Sequence, residues 1–220
     1  MKNIRLIILD FDGTLGDTRR NILLTMRQTM EELSLPVADD EACAATIGLP
    51  LRDCFVQLYP DISDELADQC AATYRRIFDI NKKRLVPALF PHVKTTLQQL
   101  HALGYVLTVA SSRSSASLRE FLTEMEVIDC ISFILGADDV RHAKPDPEPV
   151  LLTLSACGVP AAEALVVGDM PVDILMGARA GTKTCAVTYG NASADDLRAA
   201  GADVLIDNFA QLWSLLEKES

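Results

Sequence analysis

Four short clusters of the 220-residue chain carry the side chains best suited to chemistry: Asp10-Phe11-Asp12-Gly13-Thr14, Ser111-Ser112-Arg113, Lys144-Pro145-Asp146-Pro147, and Gly168-Asp169-Met170-Pro171-Val172-Asp173. Taken singly, each has an ordinary structural use. Asp-Gly-Thr is a common turn, Lys-Pro-Asp-Pro is a rigid solvated one, and Ser111 or Ser112 can cap a helix. Taken together they form a coherent set. Several carboxylates hold a hard divalent cation, and a lysine with hydroxyls holds a phosphate.

The set acts as one site only if the fold gathers it. Short apolar runs at residues 4–9, 105–110, 131–135 and 164–167 precede the four clusters, and weaker ones follow at 183–187 and 204–206. Continuous apolar runs without alternation predict strands covered on both faces, as in a parallel sheet. Helical patterns lie between them. Val93, Leu97, Leu100 and Leu103 share a face, with Gly104 placed as a C-cap. Residues 114–125, 147–157 and 172–180 follow later strands in the same way, and Ser193 opens a short helix that Gly201 closes. Strand–helix alternation from residue 91 onward predicts a doubly wound, Rossmann-like α/β core. In such a sheet, ligands bind beyond the carboxyl ends of the strands, where all four clusters fall.

Residues 17–84 interrupt the alternation and show no convincing strand. Ile22, Leu23, Met26, Met30 and Leu33 mark one helical face, and Leu66, Cys70, Tyr74 and Ile77 another. Asp39, Asp40 and Glu41 suit the positive N-terminus of a further helix. The expected organisation is an α/β core from 1–16 and 85–220, with an all-helical insertion at 17–84 after the first strand. Pro87 and Pro91 mark the return.

Composition narrows the function. A net charge of −11 argues against nucleic acid and anionic membranes as partners. No apolar run approaches a membrane span. Lys2 and Arg5 precede a short apolar stretch, but Asp10 and Asp12 end it too soon for a signal peptide. The chain is expected to be cytoplasmic, its six scattered cysteines reduced. Cys70 and Arg76 have the spacing of a thiol phosphatase loop, but the residues between them read as mid-helix. His92, His101 and His142 lack zinc-ligand spacing.

The four clusters in this order resemble the haloacid dehalogenase-like hydrolase superfamily, in particular its phosphoglycolate phosphatase-like branch with a small helical cap. The resemblance covers essentially the whole chain. It implies a phosphatase acting on a small phosphorylated metabolite through an aspartyl-phosphate on Asp10. Asp12 matches the general acid and base. Gly13 and Thr14 let the backbone pass close to the phosphate, and Ser111, with its neighbour Ser112, and Lys144 match its ligands. Mg²⁺ is implied between Asp10, the backbone carbonyl of Asp12, and Asp169, with Asp173 completing or orienting the site. Dehalogenases of this superfamily generally lack the second acid, so Asp12 favours phosphoryl transfer to water. The β-phosphoglucomutase branch usually has His where this chain has Ile22, which disfavours a phosphomutase. A catalytically silent binding protein on the same fold would typically lack one of the acids or the lysine.

Met170 and His92 depart from residues common in the family at those positions. In the cap, residues 47–52 form the expected substrate loop. Arg52 is placed either to clamp a second anionic group or to pair with a neighbouring acid on the helix surface. Lys82, Lys83 and Arg84 read as a solvated face and carry no assigned role. The substrate itself is not named by the sequence, and a monomer or a homodimer fits equally.

Overall fold

A computed structural model describes residue 1 and residues 3–216. Lys2, counted with Arg5 in reading the N-terminus, lies outside them, as do residues 217–220 at the end of the expected core. Strand β1 (Leu6–Leu9) is fully buried, with every side chain at 0% exposure. It is followed by β2 (Gly16–Asp17) and four helices: α1 (Arg19–Glu32), α2 (Asp40–Ala44), α3 (Leu51–Leu58) and α4 (Asp64–Asn81). Then come β3 (Ala88–Leu89), α5 (Val93–Ala102), β4 (Val106–Ala110), α6 (Ser115–Glu124), β5 (Phe133–Leu135), α7 (Glu148–Cys157), β6 (Ala164–Gly168), α8 (Pro171–Arg179), β7 (Lys183–Val187), α9 (Ala194–Ala199), β8 (Val204–Ile206) and α10 (Gln211–Leu216).

Six strands form one parallel sheet in the order β5-β4-β1-β6-β7-β8. The chain builds outward from β1 through β4 to β5, then returns to the other side of β1 to add β6, β7 and β8. That reversal makes the carboxyl end of β1 a topological switch point, the usual position of a ligand crevice. The register fixes what arrives there. Leu9 pairs with Val109 on one side and Val167 on the other. Asp10, Ser111 and Asp169 therefore leave three adjacent strands at nearly the same level.

The apolar patterns account for the burial. Val93, Leu97 and Leu100 bury one face of α5, while Leu118, Phe121 and Leu122 bury one face of α6. Phe11 stacks on Phe121 at a centroid distance of 5.6 Å, tying the turn after β1 to α6. Asp39 caps α2, accepting from the Ala42 amide at 2.7 Å, and two further acids fill the first turn. Ser193 caps α9 in the same manner, at 3.1 Å from the Asp196 amide.

Three local expectations are corrected. First, β2 and β3 pair as a short antiparallel ribbon, Gly16 with Leu89 and Asp17 with Ala88, where the sequence shows no convincing strand from residue 17 to 84 and marks only the return near Pro87 and Pro91. Two-residue strands show no alternation, so periodicity cannot reveal them. Second, β5 begins at Phe133, two residues into the 131–135 run, and a helical turn over Ile128–Cys130 precedes it. Third, α10 closes the described chain without having been read from the sequence. Its Leu212 and Leu216 are buried against the main core.

Candidate active site

The turn after β1 is built by its own backbone. The carbonyl of Phe11 accepts from the amides of Leu15 and Gly16 at 3.0 and 2.9 Å, and Gly13 donates to the carbonyl of Gly16 at 2.9 Å. Gly13 has φ +85°, and a Cβ there would fall 2.1 Å from Asp169 Oδ2. The close approach of strand ends, together with the left-handed backbone, requires glycine at this point. Gly168 meets a similar constraint, since its Cβ would lie 2.3 Å from that of Asp173.

Three buried carboxylates converge on this turn. Asp10, Asp169 and Asp173 each present an oxygen within 4.8 Å of the others. Lys144 arrives from the segment between β5 and α7. Its Nζ donates to Asp10 Oδ1 at 2.6 Å and to Asp173 Oδ1 at 2.7 Å, and its side chain is 2% exposed. Lys144 is therefore part of the interior, while Pro145 beside it is half-buried. Asp173 lies in the first turn of α8, where its other oxygen accepts from the Met170 amide at 3.1 Å. Asp169 is held by the Thr14 hydroxyl at 3.2 Å and by the backbone and side-chain N–H groups of Asn191 at 2.7 and 2.9 Å.

Electrostatics follow from this burial. Desolvation pushes the Asp10 carboxyl well above its ordinary range; Lys144 opposes that rise, and Asp173, Asp169 and Asp12 add to it. Desolvation and the nearby Asp173 likewise lift Asp169 to about 7, against the hydrogen bonds from Asn191 and Thr14. Burial would lower Lys144, but Asp10 and Asp173 outweigh it and hold the ammonium charged. Asp12 carries a fourth carboxylate. It accepts from Arg113 Nε at 2.6 and 2.9 Å, from Arg113 Nη2 at 2.7 Å, and from the Thr18 hydroxyl at 2.5 Å.

Four carboxylates thus face two fixed cations, Lys144 and Arg113, and the site is short of positive charge by two units when all are ionised. Hard oxygen donors with that deficit fit a divalent cation held by Asp10, Asp169 and Asp173. The Asp12 side chain stands outside this trio. Ser111, 6% exposed, accepts from the Arg113 amide at 3.4 Å. Ser112 donates instead to the Gly48 carbonyl at 2.5 Å, joining the end of β4 to the loop before α3. Beside Asp12, a cavity of about 560 Å³ is lined by Ile22, Met26, Leu49, Phe78 and Arg113 among others. Arg52 also lines it, paired with Asp64 and, at 3.0 Å, with Asp68 on α4. Lys82 pairs with Asp79 at 3.2 Å and with Glu120 on α6 at 2.6 Å.

Three participants were not assigned from sequence. Arg113 directly follows the two serines at the end of β4, so its place at a strand end was available as a signal. Thr18 and Asn191 were not, because both act from loops beyond the turn and beyond β7.

A sequence profile of the haloacid dehalogenase-like hydrolases matches residues 7–187. "Probable phosphatase IndB" of Dickeya dadantii is 37% identical over 209 residues, covering 94% of this chain and 91% of its own. "Pyrophosphatase PpaX" of Anoxybacillus flavithermus is 31% identical, covering 97% of each chain. "Phosphoglycolate phosphatase" of Photorhabdus laumondii is 29% identical, covering 98% of this chain and 94% of its own. A solved haloacid dehalogenase-like family hydrolase from Streptococcus pneumoniae superposes with a TM-score of 0.87 over 98% of this chain and 99% of its own; at 22% identity that likeness speaks to the fold alone. The chain belongs to the haloacid dehalogenase-like hydrolases, in their phosphoglycolate phosphatase-like branch, and is a phosphatase.

Proposed function

We propose that the chain is a Mg²⁺-dependent phosphatase that cleaves a small phosphomonoester through an aspartyl-phosphate on Asp10. The observation that carries this reading is Lys144 Nζ bridging Asp10 and Asp173, with Asp169 beside them. A buried carboxylate whose charge is balanced in this way stays available as a nucleophile toward phosphorus. In this reading, Mg²⁺ held by Asp10, Asp169 and the Asp12 carbonyl, with Asp173 orienting the set, supplies the charge that lets a phosphate dianion approach.

Asp10 attacks phosphorus while Lys144 and the Ser111 hydroxyl hold the transferring oxygens, and Ser112 stands at the rim. Asp12, carrying a proton taken from solvent, gives it to the leaving alkoxide. The resulting carboxylate then takes a proton from the water that hydrolyses the acyl phosphate. Residues 17–84 act as a cap over a core formed by 1–16 and 85–220, and the cavity beside Asp12 receives the alcohol part of the substrate. Closure of that cap excludes water from the first step.

The working place of the enzyme in this reading is the cytoplasm; among the described residues no helix is long and apolar enough to cross a membrane. The test is a screen of small phosphorylated compounds with Mg²⁺, including phosphoglycolate, hexose phosphates, nucleoside monophosphates and pyrophosphate. Release of inorganic phosphate is expected from at least one of them. Conversion of a hexose phosphate to an isomer without phosphate release would replace this reading with a phosphomutase.

A further inference from the structure

The basic run Lys82-Lys83-Arg84, which has no part in the chemistry above, is divided by the fold. Lys82 turns to Asp79 and Glu120. Arg84 instead lines a separate cavity of about 680 Å³ on α1, together with Arg19, Arg20 and Arg27. The acids of this cavity are Asp17 and Asp40. Four guanidinium groups thus meet two carboxylates, an excess of two positive charges in a chain whose net charge is −11. None of these residues lines the cavity beside Asp12.

Helical spacing builds the wall. Arg20, Leu24 and Arg27 stand at i, i+4 and i+7 and share one face of α1, while Ile22 and Met26 face the cavity beside Asp12. Buried amides fix the backbone that carries Arg84 against that face. Asn81 Nδ2, on a residue 5% exposed, donates to Thr25 Oγ1 at 3.0 Å and to Gln28 Oε1 at 2.8 Å. Asn21 Nδ2 donates to the Leu85 carbonyl at 3.2 Å, and the amides of Arg84 and Leu85 donate to the Asn81 carbonyl at 2.9 and 2.8 Å. The chain does not neutralise the charges held on this frame. Arg27 pairs with Asp40 at 2.8 Å, and Arg19 donates to Asn191 Oδ1 at 3.3 Å. Among the described residues, the side chains of Arg20 and Arg84 meet no hydrogen-bond or ion-pair partner.

Like charges gathered in a concave site repel one another and draw anions into it. Guanidinium forks take phosphate oxygens two at a time. An anion that meets several forks at once carries several charges along a short chain, as condensed phosphates do. Leu24 and Leu85, half-buried on the same cavity, set an apolar surface beside the charges. We infer that this groove is an anion site separate from the reaction centre, and that Arg20 and Arg84 there hold the condensed phosphate chain of a small molecule, free or as part of a nucleotide. The site does not depend on the phosphatase reading.

The experiment is a calorimetric titration of the full chain with tripolyphosphate, with no divalent cation added. Under that condition the centre around Asp10 is short of positive charge and turns polyanions away. Tripolyphosphate is expected to bind saturably, one per chain. Arg20→Gln/Arg84→Gln should weaken it by about tenfold or more, as for loss of charge-assisted hydrogen bonds. Both side chains are exposed and unpaired, so this variant should melt as the wild type does. Arg76→Gln/Arg198→Gln removes the same charge from exposed positions elsewhere and should weaken binding by less than about threefold. ATP titrated in the same way separates the two sources. Affinity equal to that of tripolyphosphate supports a site for the phosphate chain alone, and tighter binding supports a nucleotide whose organic part lies on Leu24 and Leu85. Absence of saturable binding, an equal loss in the two double variants, or citrate binding as tightly as tripolyphosphate overturns the inference.

Discussion

Lys144 Nζ lies 2.6 Å from Asp10 Oδ1 although 134 positions separate the two residues. Only the return of the chain across β1 brings them together, so this contact ties the topology of the sheet to the chemistry. Replacing Lys144 by Met would leave Asp10 and Asp173 buried without their common cation. Breaking a buried ion pair in this way costs about 3–5 kcal/mol. Lys144→Met is expected to unfold at clearly lower denaturant concentration than the wild type, and to release no phosphate from any ester that the wild type cleaves. Chemical denaturation with a parallel phosphate assay checks both.

The raised Asp169 carboxyl predicts how cation binding depends on pH. In the metal-free chain Asp169 titrates at about 7, against an unfolded carboxyl near ~3.9. The folded state therefore takes up a proton as pH falls through 7, and that proton must leave before the carboxylate can hold a cation. Between about pH 4 and 7 the same group makes metal-free stability decline as pH rises. Added MgCl₂ is expected to raise the melting temperature more at pH 8 than at pH 5.5. Equal rises at both values would count against Asp169 as a ligand.

Gly190 tests the loop after β7. A Cβ there would lie 2.3 Å from that of Asp169, so Gly190→Ala must displace the carboxylate that Asn191 holds. The expected result is a loss of Mg²⁺ response and of turnover by about tenfold or more, in the range seen when partners of metal ligands are removed. Calorimetric titration with Mg²⁺, beside the phosphate assay, reads both effects.

His92 tests a position remote from these groups. It sits exposed at the start of α5 with φ +68°, a left-handed backbone that suits glycine. Relief of that strain, about 1–2 kcal/mol, outweighs the added chain entropy of glycine, about 0.5–1 kcal/mol. His92→Gly should melt about 1–4 °C higher with unchanged turnover. The sequence carried a hint of this, since the family resemblance already marked His92 as a departure.

Much of this architecture was readable from residue order because burial and reaction chemistry leave strong local marks. Apolar runs that are 0% exposed, such as Leu6–Leu9, cannot alternate, and Gly104 ends a helix with φ +85°. Asp10, Lys144, Asp169 and Asp173 were singled out by type and by place after a strand, and the structure brings them together. What the sequence concealed depends on pairing across long separations. The β2–β3 ribbon has two residues a side and no period to detect. The partners of Arg52 on α4 follow from how α3 packs on α4. Arg113 looked like one more polar residue after a strand until Asp12, 101 positions away, was seen in its fork.

The most direct test of the central claim compares the wild-type chain with Asp10→Asn in a Mg²⁺-supported phosphate-release assay, with folding of both confirmed by melting. The isosteric amide keeps the shape of the turn after β1 and removes the nucleophile. The account predicts turnover by the wild type and a fall of about 10³-fold or more in the variant, in line with loss of a covalent nucleophile. A folded Asp10→Asn preparation that releases phosphate at a rate near that of the wild type would contradict it.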